Sequence, residues 1–284
     1  MDHQIILVAE TGSDIPAAMA KKLGVALVPM HVGMGNTTLD DGAFPPEDVC
    51  TYYDRTGKVP TTSGSTPYDF EKVFDELHAK YPDKKLLHLA YSAVTTCSYH
   101  SALLASEGRD YIKSVDTKHV SVGQCAVVAA MVAWLNEHPQ AALEEAAAAA
   151  EAISRKTRMC FVPRNLDYLR AGRRVSNAAA LVGNLLNLHP LIEIIDGRLM
   201  AGKKYRGAME KVLPAVIREF TSKEHLDFEH IYLIRAPYFE ESLVRAVEET
   251  LNGLGYHNYT WVPTGCVITC HGGPGAFGIV GVSK

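Results

Sequence analysis

Two apolar runs, Ile5-Ile6-Leu7-Val8-Ala9 and Leu86-Leu87-His88-Leu89-Ala90, constrain the fold of this chain most. Each leads into a polar turn and then into a helical pattern. The first meets Thr11-Gly12-Ser13-Asp14-Ile15-Pro16, with a helix expected from near Pro16. The second meets Ser92-Ala93-Val94-Thr95-Thr96-Cys97-Ser98, with a helix expected over 99–108. A short continuous apolar run bounded by turn residues reads as a strand buried on both faces. Further strands are expected at 25–31 and 111–115, and helices at 67–80, 123–135 and 141–155. On the helix over 67–80, Phe70, Val73, Phe74 and Leu77 fall on one face. Strands alternating with helices imply a parallel α/β sheet. In such sheets ligands lie at the carboxyl ends of the strands.

The second half reads differently. Helices are expected at 165–171, 177–188, 209–220 and 238–254, and strands at 231–235, 259–262 and 279–282. A hairpin over 191–201 should turn at Asp196-Gly197. The expected architecture is α/β in two domains, a parallel-sheet α/β/α domain over 1–162 and a second α/β domain over 163–284. The last strand and the His271 loop would pack at their junction. With 284 residues, 47% hydrophobic and 21% charged, the chain can bury a core without disulfide or metal staples.

Composition excludes several classes. A net charge of −4 gives no reason to expect nucleic acid. Six scattered cysteines read as reduced thiols. Cys266-x-x-x-Cys270-His271 resembles half of a metal site, but no second cluster completes it, and buried strand cysteines are the expectation. The N-terminus lacks a basic region, and the apolar stretch 178–195 is broken by Asn184, Asn187, His189, Pro190 and Glu193. Neither a secretory leader nor a membrane span is read here, and a cytoplasmic protein is expected.

Gly273-Pro274-Gly275-Ala276-Phe277-Gly278 matches G-x-G-x-x-G, but a strand rather than a helix should follow it, so no dinucleotide site is assigned. There is no P-loop, no H-E-x-x-H and no G-x-S-x-G elbow. What remains is a set of three loops. Pro60 to Pro67 carries Thr62, Ser63, Ser65 and Thr66 ahead of a helix, where hydroxyls and amides suit an anion. Ser92, Thr96 and Ser98 sit where another strand meets a helix. His271-Gly272-Gly273-Pro274-Gly275 is a late loop in which glycine lets backbone approach a ligand. Any one hydroxyl taken alone is better read as a helix cap. As a set the three loops favour an anion site. Arg170, Arg173 and Arg174, and Arg206 in Lys203-Lys204-Tyr205-Arg206, are solvated cations by default, or a surface for an acidic partner.

In this order the loops resemble the DegV family of fatty-acid-binding proteins. The resemblance rests on Glu10-Thr11-Gly12-Ser13-Asp14, Thr61-Thr62-Ser63, Ser92-Ala93 with Thr96-Cys97-Ser98-Tyr99, Tyr168-Leu169-Arg170-Ala171-Gly172-Arg173, and His271-Gly272-Gly273-Pro274-Gly275. Ala93, Cys97 and Glu10 depart from the family's usual Ser, Gly and Asp. The resemblance implies a long-chain fatty acid between two α/β domains, its tail in an apolar tunnel. Thr62, Ser63, Ser92 and Thr96 would hold the carboxylate, with His271 close by and Gly273 and Gly275 shaping the loop. It further implies that the protein is not itself an enzyme. It would need no cofactor and would present the acid to a separate ATP-dependent fatty acid kinase subunit for phospholipid synthesis. Arg206 and Arg173 would contact that partner, and transient contact with a membrane surface is compatible. The alternatives are a Ser/His acyl-ester hydrolase, using a serine near His271 or His100, and a lipid carrier without a kinase.

Overall fold

The computed structural model describes residues 3–177 and 188–284. The helix expected over 177–188 therefore lies outside the described residues. The first apolar runs form the middle of a four-stranded parallel sheet. It comprises β1 (Ile5–Glu10), β2 (Ala26–Val28), β6 (Lys85–Ala90) and β7 (Ile112–Asp116), in the order β2-β1-β6-β7. The strands bury both faces. Val8, Leu86 and Ile112 meet Phe70 and Phe74 of α3 (Pro67–Lys80) and Ala102 and Ala105 of α4 (Ser98–Ala105). On the opposite face Leu7, Leu87 and Leu89 meet α5 (Ser121–Glu137) and α6 (Leu143–Lys156). This two-sided burial explains why the runs are continuously apolar rather than alternating.

The segment 25–31 is not one strand. It divides into β2 and β3 (His31–Met34), and β3 enters a small antiparallel sheet with β4 (Thr37–Asp40) and β5 (Thr61–Ser63). This sheet and the helix α2 (Glu47–Thr56) fill the long connection between α1 (Ala17–Leu23) and α3.

The second sheet has six strands in the order β10-β9-β8-β13-β11-β12. Its members are β8 (Thr157–Val162), β9 (Leu188–Ile195), β10 (Arg198–Arg206), β11 (Ile231–Arg235), β12 (Tyr259–Pro263) and β13 (Phe277–Val282). Only the β11–β12 pair is parallel. The turn at Asp196-Gly197 forms where expected. Both residues have positive φ, +46 and +79, the type I′ pattern that matches strand twist. One face of the sheet packs on α8 (Met209–Lys223) and α9 (Glu241–Gly253), through Val216, Phe220, Val247 and Leu251.

β8 falls inside the span expected for the first domain, yet it hydrogen-bonds to β9 and β13 in the six-stranded sheet. By sheet membership the chain changes domain where α6 passes directly into β8, a few residues ahead of 162. Helix α5 joins the two halves. It has no polar face: Val122, Cys125, Val128 and Met131 are all fully buried. They share one core with Leu7 and Leu87 of the first sheet and Met159, Ile234 and Val280 of the second. Every residue from Ser121 to Val128 is buried, the sign of a helix segment with neighbours all round.

Cys266 and Cys270 are buried, but on the helix α10 (Cys266–Gly272) rather than on a strand. α10 packs beside α7 (Leu166–Gly172) and α2. Among the described residues no helix is long and apolar enough to cross a membrane.

Candidate functional site

Thr62 and Ser63 are themselves part of a strand. They lie within β5, the edge of the small sheet, with Thr62 opposite Val32. The N-terminus of α3 is occupied by its own residues. Thr66 Oγ1 accepts from Asp69 N–H at 3.3 Å, and Asp69 Oδ2 accepts from Thr66 N–H at 2.7 Å, a reciprocal capping box. The anion-binding potential of this stretch therefore rests on Thr62 to Gly64 and not on the helix end. Gly64 presses against the β6–α4 loop. A Cβ there would fall 2.6 Å from Ser98 Oγ and closer still to Thr96 Oγ1. Ser98 Oγ in turn accepts from Ser65 N–H at 3.1 Å and lies 3.3 Å from Thr96 Oγ1. Only glycine lets the two hydroxyl loops meet this closely.

Ser92 is not among the cavity residues. It is fully buried, and its hydroxyl donates to the carbonyl of Gly197 at 2.8 Å. A serine has one proton to give, and that of Ser92 ties its loop to the β9–β10 turn. The same loop turns Thr95 and Thr96 to the cavity instead.

His271 is the last side chain of α10 before its two C-terminal glycines, and its helix is anchored by two aspartates from the first half of the chain. Asp14 Oδ1 accepts from Gly265 N–H at 2.6 Å, and Asp41 Oδ1 from Cys266 and Val267 N–H at 2.8 and 3.3 Å. Ser121 donates its hydroxyl to Asp14 Oδ2. Burial pushes both carboxyls up, Asp14 well above the ordinary range, and outweighs the hydrogen bonds that lower them. The pair fixes the start of α10 and so the position of His271.

His271 Nε2 lies 2.9 Å from Thr62 Oγ1, joining the two halves across 209 residues. Burial first, and the nearby Arg174 second, lower the imidazole to about 4. The ring is therefore neutral near pH 7. Nδ1 has no hydrogen-bond partner among the described residues and faces Gly172, which has no Cβ to displace it. An orphaned buried N–H is the rarer case, so the ring proton is assigned to Nε2, donating to Thr62. That leaves the Thr62 hydroxyl proton free to donate onward.

Between these groups lies a cavity. Its polar end gathers Thr62, Ser63, Thr95, Thr96, His271 and Arg174. The rest of its wall is chiefly apolar, with Val120, Met159, Phe161, Leu199, Ile234 and Phe277. Among the described residues Arg174, at the polar end, supplies the charge of the lining, so the cavity suits a ligand charged at one end.

Gly273 and Gly275 do not line the cavity. They have φ of +73 and +69 and abut Tyr168 and Arg164, so they shape the turn after α10, while Gly272 takes the place at the wall. Arg173 is exposed and is the left-handed C-cap of α7, with φ +49. Arg206 is exposed at the end of β10. Sequence reasoning missed Arg174, Thr95, Gly64, Tyr91 and Ser121 as cavity residues. Gly64, flanked by Ser63 and Ser65, carried a legible sign of close approach. Ser121 carried none.

Known proteins share this fold over nearly the whole chain. Residues 4–284 match the family described as "Uncharacterised protein, DegV family". A fatty acid-binding protein of Thermotoga maritima is 28% identical over 97% of this chain and 96% of its own length. The structure of a DegV family protein from Thermus thermophilus, described by its fatty acid binding, superposes with a TM-score of 0.87 at 28% identity, covering 99% of this chain and all of that one. A hypothetical protein from Thermotoga maritima, whose structure reveals a fatty acid binding function, gives a TM-score of 0.79 at 26% identity, with 99% of each chain covered. The match over nearly the whole length places this chain in the DegV family.

Proposed function

We propose that this protein binds a long-chain fatty acid in the cavity between its two halves and holds the carboxylate at Thr62, Ser63 and Thr96, with His271 close by, orienting the Thr62 hydroxyl. The observation that carries the reading is a single cavity with hydroxyls, a neutral imidazole and one arginine at one end and aliphatic and aromatic side chains over the rest. Relatives described as fatty-acid-binding support it. Burial contributes about 0.8 kcal/mol per methylene, so the tail supplies most of the affinity. The head group needs orientation, at roughly 1.5–3 kcal/mol per hydrogen bond to its charge. Ser92 has a supporting part, fixing the loop that carries Thr95 and Thr96. Gly273 and Gly275 hold the turn after His271.

Arg174 changes the expected character of the site. A cation at the polar end attracts the carboxylate, while its guanidinium also donates to the Gly172 carbonyl at 3.0 Å. The head group is thus oriented by neutral donors and drawn in by one charge.

We further propose that the bound acid is presented to a separate ATP-dependent kinase subunit in the cytoplasm. The carboxylate oxygen would attack the γ-phosphorus of ATP on that partner, giving the acyl phosphate and ADP. The chain carries no P-loop, which is compatible with ATP being held by another protein. Arg206, and Arg173 close to the α7 end of the site, are exposed cations suited to that contact. The two domains that clasp the acid would divide between α6 and β8.

The hydrolase alternative loses support. The side chain at His271 Nε2 is Thr62, and no orienting acid meets Nδ1 among the described residues. An imidazole held near 4 is also a weak base at neutral pH.

Native mass spectrometry tests the binding. The protein should carry a fatty acid from expression or take one up from a supplied mixture. A preparation that stays free of acid under both conditions contradicts the proposal. For the partner, Arg206→Ala should bind acid as the parent does and support less acyl-phosphate formation. Equal loss of both would assign Arg206 to the site instead.

A further inference from the structure

A second cleft, with several charged residues in its lining, lies between the two halves, beside the fatty-acid cavity. Three separate segments pass from one to the other. On β8, Thr157 lines only the cleft, Phe161 only the cavity, and Met159 both. Before α5, Thr117 to His119 face the cleft, and Val120 and Ser121 the cavity. In the hairpin, Gly197 faces the cleft and Leu199 the cavity. Met159 is the only residue, among those described, that lines both. The Met159 side chain thus stands between the two spaces.

The direction of β8 sets which end of the cavity this is. Just beyond the strand, Arg164 abuts Gly275 in the His271 turn. Phe161 is thus nearer the polar end, and Met159 lies beyond it. The far side of the partition is ionic. In the cleft Arg158 Nε meets Glu224 Oε2 at 3.0 Å and Lys223 Nζ meets Glu193 Oε1 at 2.5 Å. An alkyl end pushed through would lie among these charges at a loss.

Room for the partition is made by α5. A Cβ on Gly123 would fall 2.8 Å from Met159 Sδ. Gly123 is a buried glycine inside a helix, where glycine is normally disfavoured. Its presence is accounted for by the methionine seated against it. Methionine is unbranched and adapts to irregular gaps, which suits a stop that closes on chains of slightly different length.

We infer that Met159, seated on Gly123, is the end-stop that sets the length of the acyl chain. The inference rests on the fatty-acid reading of the cavity. The test is a displacement titration of saturated acids of increasing length against the parent, Met159→Ala, Met159→Val and Gly123→Ala, each checked for a cooperative melt. Each methylene newly buried is worth about fourfold in affinity. Met159→Ala should move the preferred chain longer by about two carbons, with a gain on the order of tenfold for those acids relative to the parent's preferred one. Met159→Val should move it the same way by less, and covers a failure of the alanine variant to fold. Gly123→Ala should push Met159 into the cavity and move the preference shorter. An unchanged ranking of chain lengths in the folded variants overturns the end-stop while leaving fatty-acid binding intact. A parent that binds no acid of any length overturns both.

Discussion

Two buried histidines in this molecule sit in opposite settings. His88 lies within the parallel sheet at no measurable exposure. Its Nδ1 is 3.1 Å from Ser114 Oγ and its Nε2 is 3.3 Å from Glu10 Oε1. Glu10 also accepts from Gln124 Nε2 at 2.7 Å and from Tyr91 N–H at 3.0 Å. Burial alone would raise the Glu10 carboxyl, but His88, Gln124 and Tyr91 together hold it below its ordinary value. His271 has one hydroxyl at Nε2, nothing at Nδ1, and a cation nearby that discourages its own protonation. The first cluster is wholly buried and serves the fold, although Gln124 Oε1 finds no hydrogen-bond partner among the described residues. The second leaves a donor chain ending at the Thr62 hydroxyl, which only a ligand completes. What separates the two is that the second opens on a cavity, which Thr62 and His271 line and His88, Glu10 and Gln124 do not.

That contrast can be broken by mutation, beginning with the largest effect. Glu10→Ala strips a buried partner from His88, Gln124 and Tyr91 and should cost about 3–5 kcal/mol of stability. The molecules that remain folded should bind acid as the parent does. Denaturant unfolding together with acid titration checks both halves, and a variant of parental stability would remove the structural reading of the cluster. Thr62→Val should shift the balance toward binding. Its stability should fall by about 1–3 kcal/mol, because the His271 N–H loses its acceptor, while binding of the acid weakens by about 1.5–3 kcal/mol, the value of one hydrogen bond to a charged group. Unchanged affinity would move the carboxylate elsewhere.

A third variant lies between the two. Asp41 Oδ1 is the acceptor for two N–H groups of α10. Asp41→Ala should cost about 1–3 kcal/mol in stability and also weaken acid binding, because the start of α10 places His271. Loss of stability with full binding would show that His271 is held by other contacts.

The smallest effect is on pH dependence. The folded state holds His271 at about 4, whereas an unfolded chain takes up its proton near pH 6.5. Between these values the unfolded state binds more protons. The stability contributed by His271 is thus complete above about pH 6.5 and is lost as pH falls toward 4. His119, lowered to about 4 chiefly by burial, acts in the same direction. Asp14 and Asp41, raised by burial, act in the opposite sense. His271→Gln should therefore flatten the fall in stability between pH 7 and 5 without abolishing it. An identical fall in parent and variant would place the ring's protonation outside the folding equilibrium.

Much of the frame was legible. The runs at Ile5 and Leu86 could be read because strands buried on both faces leave no polar alternation, and α3 because Phe70 and Phe74 repeat at helical spacing. Asp196-Gly197 has the chemistry of its turn. The strands β3, β4 and β5 were hidden because each has only three or four residues and no apolar run. Within the site, Thr62 and His271 stood out by type and loop. Ser92 against Thr95 could not be decided, since the outcome depends on a carbonyl 105 residues away. Arg173 and Arg174 are neighbours with different surroundings because Arg173 takes the left-handed turn that ends α7. Local sequence does not specify which of two adjacent arginines reaches a cavity built from the other half of the chain.

The central claim is that the donor at Thr62 recognises a carboxylate. The most direct test is a titration of a long-chain fatty acid and the alcohol of the same length against the parent and Thr62→Val. The parent should prefer the acid by at least about tenfold, the value of one charge-assisted hydrogen bond, and that preference should shrink by a similar factor in Thr62→Val. Equal affinity of the parent for acid and alcohol, or an acid preference untouched by the substitution, would contradict the account.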